Sequence, residues 1–192
     1  MRNTQRNMSP YDLPTSLTIH SRDYAIRTDF RAILDILIAE NDPELDDIGK
    51  TAVLLGILYK DVPVDTEEAV RKGCEFIDMG MKDDGKRRPR VMDWKQDAPV
   101  IIPAVNRVAG VEIRALPYLH WWSFLGYYQE IGQSYFSEIV NVRLKKARGE
   151  KLEKWEQDFY KDNRASVDLN HEEERSAEEK QELRKLFGLE KR

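Results

Sequence analysis

The chain has 192 residues, a length typical of one domain and sufficient to bury a hydrophobic core. Hydrophobic residues make up 41% of it and charged residues 34%, a balance that excludes a wholly disordered chain. The 31 basic and 35 acidic residues give a net charge of -4, and no stretch reaches the roughly 18 apolar residues that span a bilayer, so we expect neither nucleic acid nor a membrane as a partner.

The N-terminal part changes from polar to periodic sequence near residue 28. Residues 1–12 are predicted to form a flexible lead, and weak alternation over 17–27 around a polar turn predicts at most a small β-hairpin. From residue 28 the apolar residues recur with the period of a helix, which predicts the first helix. Its stripe consists of Phe30, Ile33, Leu34, Leu37 and Ile38.

Two further helices are predicted before the middle of the chain. Asp42 followed by Pro43 has the pattern of an N-cap and a first-turn proline, so a second helix is expected from there to about Tyr59. Its later turns are apolar nearly all round, which predicts a buried helix. Asp65 and Glu68 have the spacing of a capping box at the start of a third helix.

A charged loop divides the helical body into two halves. The third helix is predicted to end near Gly80, and the stretch KDDGKRRPR that follows has no apolar residue. We therefore expect residues 82–91 to be a solvated loop joining the halves. Asp93 with Gln96 then predicts the start of another helical stretch, for which Gly110 is the natural end.

The largest aromatic cluster is predicted to lie on one helix that begins at Pro117. Adjacent residues of a helix point about 100° apart, so one face cannot bury both of two neighbouring indoles. The second indole is expected to need another helix or a partner. The aromatic and apolar residues at helical spacing are Tyr118, Trp121, Trp122, Leu125 and Tyr128.

The last part of the body predicts two more helices and a charged tail. Ser134 can cap a helix that ends at Gly149, and a shorter helix follows around Trp155. Residues 166–192 are polar, with one amphipathic helix that carries Leu183, Leu186 and Phe187. The predicted fold is thus all-α, a single helical domain of about six to eight helices with its body at 13–165.

The sequence contains no pattern typical of catalysis or metal binding. Three histidines and the single cysteine, Cys74, lack the short spacing of helical metal sites, and no glycine-rich loop could cradle a phosphate. His120 has no accompanying nucleophile motif, so a packing or hydrogen-bonding histidine is favoured over a general base. We expect no cofactor, no metal and no enzymatic activity.

Several segments resemble a known family. They are DYAIRTDFRAILDILIAEND at 23–42, MDW at 92–94, NRV at 106–108, EIRALPYLHWW at 112–122 and FSEIVNVRLKKARGEKLEKW at 136–155. The family they resemble consists of siphophage and prophage proteins encoded beside the tail-assembly chaperone, just upstream of the tape-measure gene. Candidate interaction residues from these motifs are Trp94, Arg107, Arg114, Tyr118, His120, Trp121 and Trp122.

The resemblance implies a small helical protein that helps to build the phage tail in the host bacterial cytoplasm. Its expected partners are the tape-measure protein and a partner tail-assembly chaperone, with the tail-tube protein and a second copy of the chain as further candidates. The alternative from another class is a structural tail or head-completion component that is retained in the virion. An enzyme that uses His120 is a distant third reading.

Overall fold

The computed structural model describes residues 11–81, 85 and 88–170. Over these ranges the chain is mostly helical with one small antiparallel hairpin, which confirms the predicted fold in outline. The predicted lead before residue 11, residues 82–84 and 86–87 of the 82–91 loop, and the tail helix after residue 170 lie outside the described residues. The strands are β1 (Ser16–Ile19) and β2 (Arg22–Ala25), and the helices are α1 (Phe30–Glu40), α2 (Asp47–Leu58), α3 (Thr66–Ile77), α4 (Ala98–Ala109), α5 (Trp121–Gln129), α6 (Tyr135–Ala147), α7 (Lys154–Asp162) and α8 (Arg164–Val167).

The hairpin is closed by a tight turn and joined to the helical body. Ile19 pairs with Arg22, and the two turn residues between them, His20 and Ser21, have φ angles of 46° and 68°. Two successive positive φ angles are those of a type I′ turn, whose twist matches that of the strands. Just after β2, a bridge between Ile26 and Tyr59 continues the pairing towards the end of α2.

Helix α2 begins later than the sequence predicted. The Asp42 carboxylate accepts the backbone N–H of Glu44 at 2.8 Å and closes a turn, so Asp42 does not cap a helix. Asp46 is the N-cap instead, and its carboxylate accepts the backbone N–H of Gly49 at 2.7 Å. The prediction of a helix start at Asp42–Pro43 is therefore wrong, because an acidic cap four residues further on has the required extended backbone.

Helices α2 and α3 pack closely through a glycine. A Cβ atom at Gly73 would lie 2.9 Å from Leu58 Cδ2 and 3.1 Å from Leu54 Cδ2, so a larger residue would push the helices apart. The predicted cap of α3 is confirmed, because the Asp65 carboxylate accepts the backbone N–H of Glu68 at 3.0 Å.

Helix α4 begins at Ala98, and Asp93 lies in a turn before it. The Asp93 carboxylate accepts the backbone N–H groups of Lys95 and Gln96 at 2.9 and 2.7 Å, which closes that turn and keeps it out of the helix. The expected helical start at Asp93 is thus corrected to Ala98. The predicted end at Gly110 is confirmed, since this residue adopts the left-handed conformation with φ 69°.

The core consists of one large cluster and one small one. The large cluster joins the hairpin, α1–α5 and the start of α6, and the small one joins the middle of α6 to α7 and α8. The small cluster includes Val167, which is only 1% exposed, so packed contacts continue beyond residue 165. Among the helices that the structure describes, none has the length and apolar character needed to cross a bilayer.

Candidate functional site

The aromatic helix α5 starts at Trp121, four residues after the predicted start at Pro117. Leu116, which precedes the proline, is extended with φ -69° and ψ 137°, the conformation that a following proline favours. Residues 117–119 therefore lie outside the helix. Tyr118 does not share the helical aromatic face as predicted. Its hydroxyl group lies 2.7 Å from Thr28 Oγ1, and its side chain is 52% exposed.

Both adjacent tryptophans bind the end of helix α3. The Trp121 indole N–H donates to the carbonyl oxygen of Ile77 and the Trp122 indole N–H donates to that of Phe76, each at 2.8 Å. Trp121 is 1% exposed and Trp122 is partly buried. The last carbonyl groups of a helix have no partner within it, and these two indoles supply one. The second indole was predicted to need another helix or a partner, and the structure supplies α3 for both indoles.

His120 is the N-cap of α5. Its Nδ1 atom accepts the backbone N–H of Trp122 at 3.0 Å, so this nitrogen carries no proton in the arrangement seen. Its Nε2 atom therefore carries the proton and donates to the carbonyl oxygen of Pro14 at 3.0 Å. The side chain is only 3% exposed. Both ring nitrogens are thus used in hydrogen bonds, and the one to Pro14 holds the segment before β1 against the start of α5.

The segment before α5 is joined to the start of α1 by backbone hydrogen bonds. The Trp121 N–H donates to the Thr28 carbonyl at 2.7 Å, and the Phe30 N–H donates to the Leu119 carbonyl at 2.9 Å. Asp29 caps α1 and also accepts the Leu119 N–H at 3.2 Å. Two of the motif segments that carry the family resemblance, 23–42 and 112–122, therefore meet at this contact, which is called the junction below, and hold each other in place.

The three remaining candidate residues, Trp94, Arg107 and Arg114, differ in their contacts. The Trp94 ring centroid lies 6.4 Å from that of Trp121, so Trp94 extends the buried aromatic cluster. The Arg107 guanidinium donates to the Gln133 carbonyl at 2.9 Å, beyond the far end of α5. Arg114 is exposed and forms a two-point ion pair with Glu112 at 2.8 Å for both contacts.

Sequence reasoning missed two arginines that bind carbonyl groups at this junction. Arg27 Nη1 donates to the carbonyls of Gly56, Ile57 and Tyr59 at 2.8–3.1 Å, which caps the end of α2. Arg31 Nη2 donates to the Leu116 carbonyl at 2.8 Å, and its Nη1 contacts the Asp29 carboxylate at 3.0 Å. Both residues lie within the quoted motif 23–42, so their place in that motif was the available signal.

A buried ion pair joins α4 to α6 and was also missed. Arg143 Nη1 and Nη2 lie 2.6 and 2.8 Å from the two carboxylate oxygens of Asp97, and the side chains are 4% and 2% exposed. Arg143 also donates to the carbonyls of Val91, Ser166 and Val167. The guanidinium group thereby connects the residues before α4 to the end of α8. A planar group with five N–H donors is suited to such a set of acceptors.

Three titratable groups have pKa values displaced by their local contacts. The hydrogen bond from Arg114 lowers the pKa of Glu112 to about 2. Burial raises the pKa of Tyr59 to about 12, and its hydroxyl group donates to the Ala69 carbonyl at 2.7 Å. The hydrogen bond that the His20 imidazole donates to the Asp65 carboxylate, at 2.6 Å, raises the pKa of this exposed imidazole. Each shift comes from a structural contact, and the three groups do not share a site.

A polar surface cleft lies within the described part of the chain. An open, polar cleft of about 240 Å³ lies between the α1–α2 loop and the residues before α4, and its lining includes Asn41, Arg90 and Gln96. Arg90 there pairs with Asp93, and Gln96 bonds the backbone of residues 168 and 170. Within the same ranges, no group of three or more His, Cys, Asp or Glu side chains is placed to hold a metal ion. The site's arrangement is thus one of interlocked helix ends.

Comparison with known proteins adds one finding. Neither a curated protein nor a solved structure matches the chain. A family model does match it, over residues 11–169, which is most of its length and almost all of the described part. The description of that family is "Bacteriophage Gp15 protein".

Proposed function

The chain belongs to the Bacteriophage Gp15 protein family, and from that premise we propose that it is a tail-assembly protein of a chaperone type. In this proposal it binds the tape-measure protein, its partner chaperone or both in the host cytoplasm while the tail tube is assembled. The observation that carries the proposal is the phage-family match over residues 11–169, combined with the resemblance of the quoted motifs to proteins encoded beside the tape-measure gene.

The distribution of side chains supports a binding protein over an enzyme. The conspicuous polar and aromatic residues of the junction, such as His120 and the Trp121–Trp122 pair, are used to hold helix ends together. Several large apolar side chains remain exposed on the body, among them Val64 at 97% and Ile48 at 80%. Ile48 lies in the first turn of α2 and Val64 in the loop before α3, and an exposed apolar side chain at a helix end can contribute to reversible contact with another helix. No catalytic step is proposed for the chain.

The test is co-expression of the tape-measure protein with the chain, in the presence of the partner chaperone. We expect the full-length chain to co-purify with the tape-measure protein and to raise its soluble fraction. A chain that ends at Asn170 should do the same if the tail is dispensable. Trp121→Ala, which removes a core side chain, should lose both effects, and the exposed substitution Asp158→Ala should keep them. If the intact chain neither binds nor solubilises its client, the chaperone proposal is wrong.

A second candidate function is a structural tail or head-completion component. The resemblance to proteins encoded just upstream of the tape-measure gene also fits a component that remains in the tail. The two functions differ in where the protein remains, because an assembly chaperone leaves before the particle is complete. Mass spectrometry of purified phage particles separates them. Detection of the chain at a fixed copy number per particle would establish the structural alternative.

A further inference from the structure

Two surface regions of the protein carry opposite charge, each beside an exposed apolar side chain. The first, called here the acidic corner, comprises residues 40–48 at the connection between α1 and α2. Residues 40–47 include five acidic side chains and no basic one. Glu40, Asp46 and Asp47 are exposed, and the neighbouring Ile48 is 80% exposed.

The second region, called here the basic corner, comprises residues 145–155 at the connection between α6 and α7. Residues 145–154 include five basic side chains and two acidic ones. Lys145 and Lys146 form ion pairs within the body, and Arg148 forms an exposed pair with Glu150 at 3.7 Å. Lys151 and Lys154 are exposed. The adjacent side chain of Trp155 is 49% exposed.

We propose that the acidic corner of one copy of this chain docks on the basic corner of a second copy. Opposite charge favours the encounter and fixes which surfaces meet. Ile48 and Trp155 supply the apolar centre of the contact, and tryptophan is among the side chains that contribute most to protein interfaces. The inference concerns the chain alone and stands whether or not the tape-measure protein is its client.

The contact differs from a permanent dimer interface in strength and in symmetry. Each corner offers one large apolar side chain and several exposed charges, so the contact is weak, reversible and sensitive to salt. Because two different surfaces meet, each added copy can present an unused corner to the next one, which gives a row or a ring of copies. Such a row would suit a protein that covers a long client.

The experiment measures self-association of the full-length protein by sedimentation velocity, with no client present. We expect association at about 0.01 M salt and at least about tenfold weaker association at about 1 M salt, where screening shortens the reach of charges from roughly 30 to 3 Å. One variant weakens the acidic corner with Glu40→Lys and Asp47→Lys, which changes its net charge from -5 to -1. The other removes the positive charge of the basic corner with Lys151→Glu and Lys154→Glu, which changes its net charge from +3 to -1. Each variant alone should associate at least about tenfold more weakly than the natural chain.

The decisive measurement mixes the two variants. The intact basic corner of the first variant can meet the intact acidic corner of the second, so the mixture should form a one-to-one complex through the natural contact. Val64→Ala, at an exposed apolar residue outside both corners, is the matched control and should leave association unchanged. Thermal melting of each variant checks that it is folded. A natural chain that stays monomeric at low salt, or folded variants that do not associate on mixing, would overturn the proposal, whatever the outcome of the client pull-down.

Discussion

The buried ion pair between Asp97 and Arg143 gives the sharpest test of how α4 and α6 are held together. Asp97→Ala removes the two carboxylate acceptors of the guanidinium group, which lie at 2.6 and 2.8 Å, and leaves a charge in a site that is 4% exposed. Breaking one side of such a pair typically costs about 3–5 kcal/mol. A chain of this size loses about 2–4 °C of melting temperature per kcal/mol, so we expect a fall of roughly 6–20 °C.

The structure supplies the controls for this measurement. The Asp97 side chain makes no capping hydrogen bond to α4, so a lost helix cap does not contribute. Its Oδ2 atom also accepts the backbone N–H of Asp93 at 2.9 Å, so the loss combines the ion pair with this one hydrogen bond. Asp158→Ala breaks the exposed pair with Lys161, whose side chains are 58% and 71% exposed, and should cost less than about 1 kcal/mol. Thermal and urea unfolding measure both variants. Equal melting temperatures for the two would refute the argument that burial makes the Asp97 pair matter.

Three further tests concern the two adjacent tryptophans and the displaced pKa values of Tyr59 and Glu112. Trp121→Ala should lower the free energy of unfolding by about 3–5 kcal/mol and Trp122→Ala by less, because Trp122 is only partly buried; a reversed order in thermal melts would contradict this. The raised pKa of Tyr59 favours the folded state below pH 10, its usual value, and this stabilisation is lost as the pH rises through about 12. Tyr59→Phe should therefore remove the latest-titrating tyrosine from an ultraviolet titration and flatten the alkaline loss of stability. The lowered pKa of Glu112 stabilises the folded state above pH 4.5, and this stabilisation is lost as the pH falls towards about 2. Carboxyl NMR should show its pKa near 2, and Arg114→Gln should bring it back towards the ordinary value.

Helix ends that depend on neighbouring residues were predictable from the sequence. Asp65 and Ser134 were placed correctly as caps, because a cap bonds a backbone N–H only three residues away. Gly110 was predicted correctly as the end of α4, because a left-handed backbone conformation favours glycine wherever it occurs. The prediction of a helix start at Asp42 and Pro43 was wrong for a reason that is also local, since an aspartate can close a turn as readily as it caps a helix.

The failure at Pro117 has a different cause, which lies in tertiary structure. The sequence presents aromatic residues at helical spacing from Tyr118 onward, and nothing within five residues argues against a helix there. The segment is extended because its backbone pairs with the start of α1, where Phe30 bonds Leu119 at a separation of 89 residues along the chain. No periodicity in one segment encodes a partner so distant. Tyr118, Trp121 and Trp122 were therefore predicted to share one helical face, and the structure places Tyr118 in the loop before α5 and the two tryptophans within it.

The arginines show the same limit and explain why the family motif is more informative than periodicity. Arg27 and Arg143 resemble ordinary surface charges in sequence, yet each donates to carbonyl groups at the end of another helix. Such carbonyls have no partner in their own helix, and a buried one without a donor would destabilise the fold. Helix length and apolar stripes can be changed by many substitutions that keep the pattern, but a guanidinium group that reaches distant carbonyls has no close substitute. Residues of this kind are thus the part of a helical fold that a motif records and a hydrophobic pattern omits.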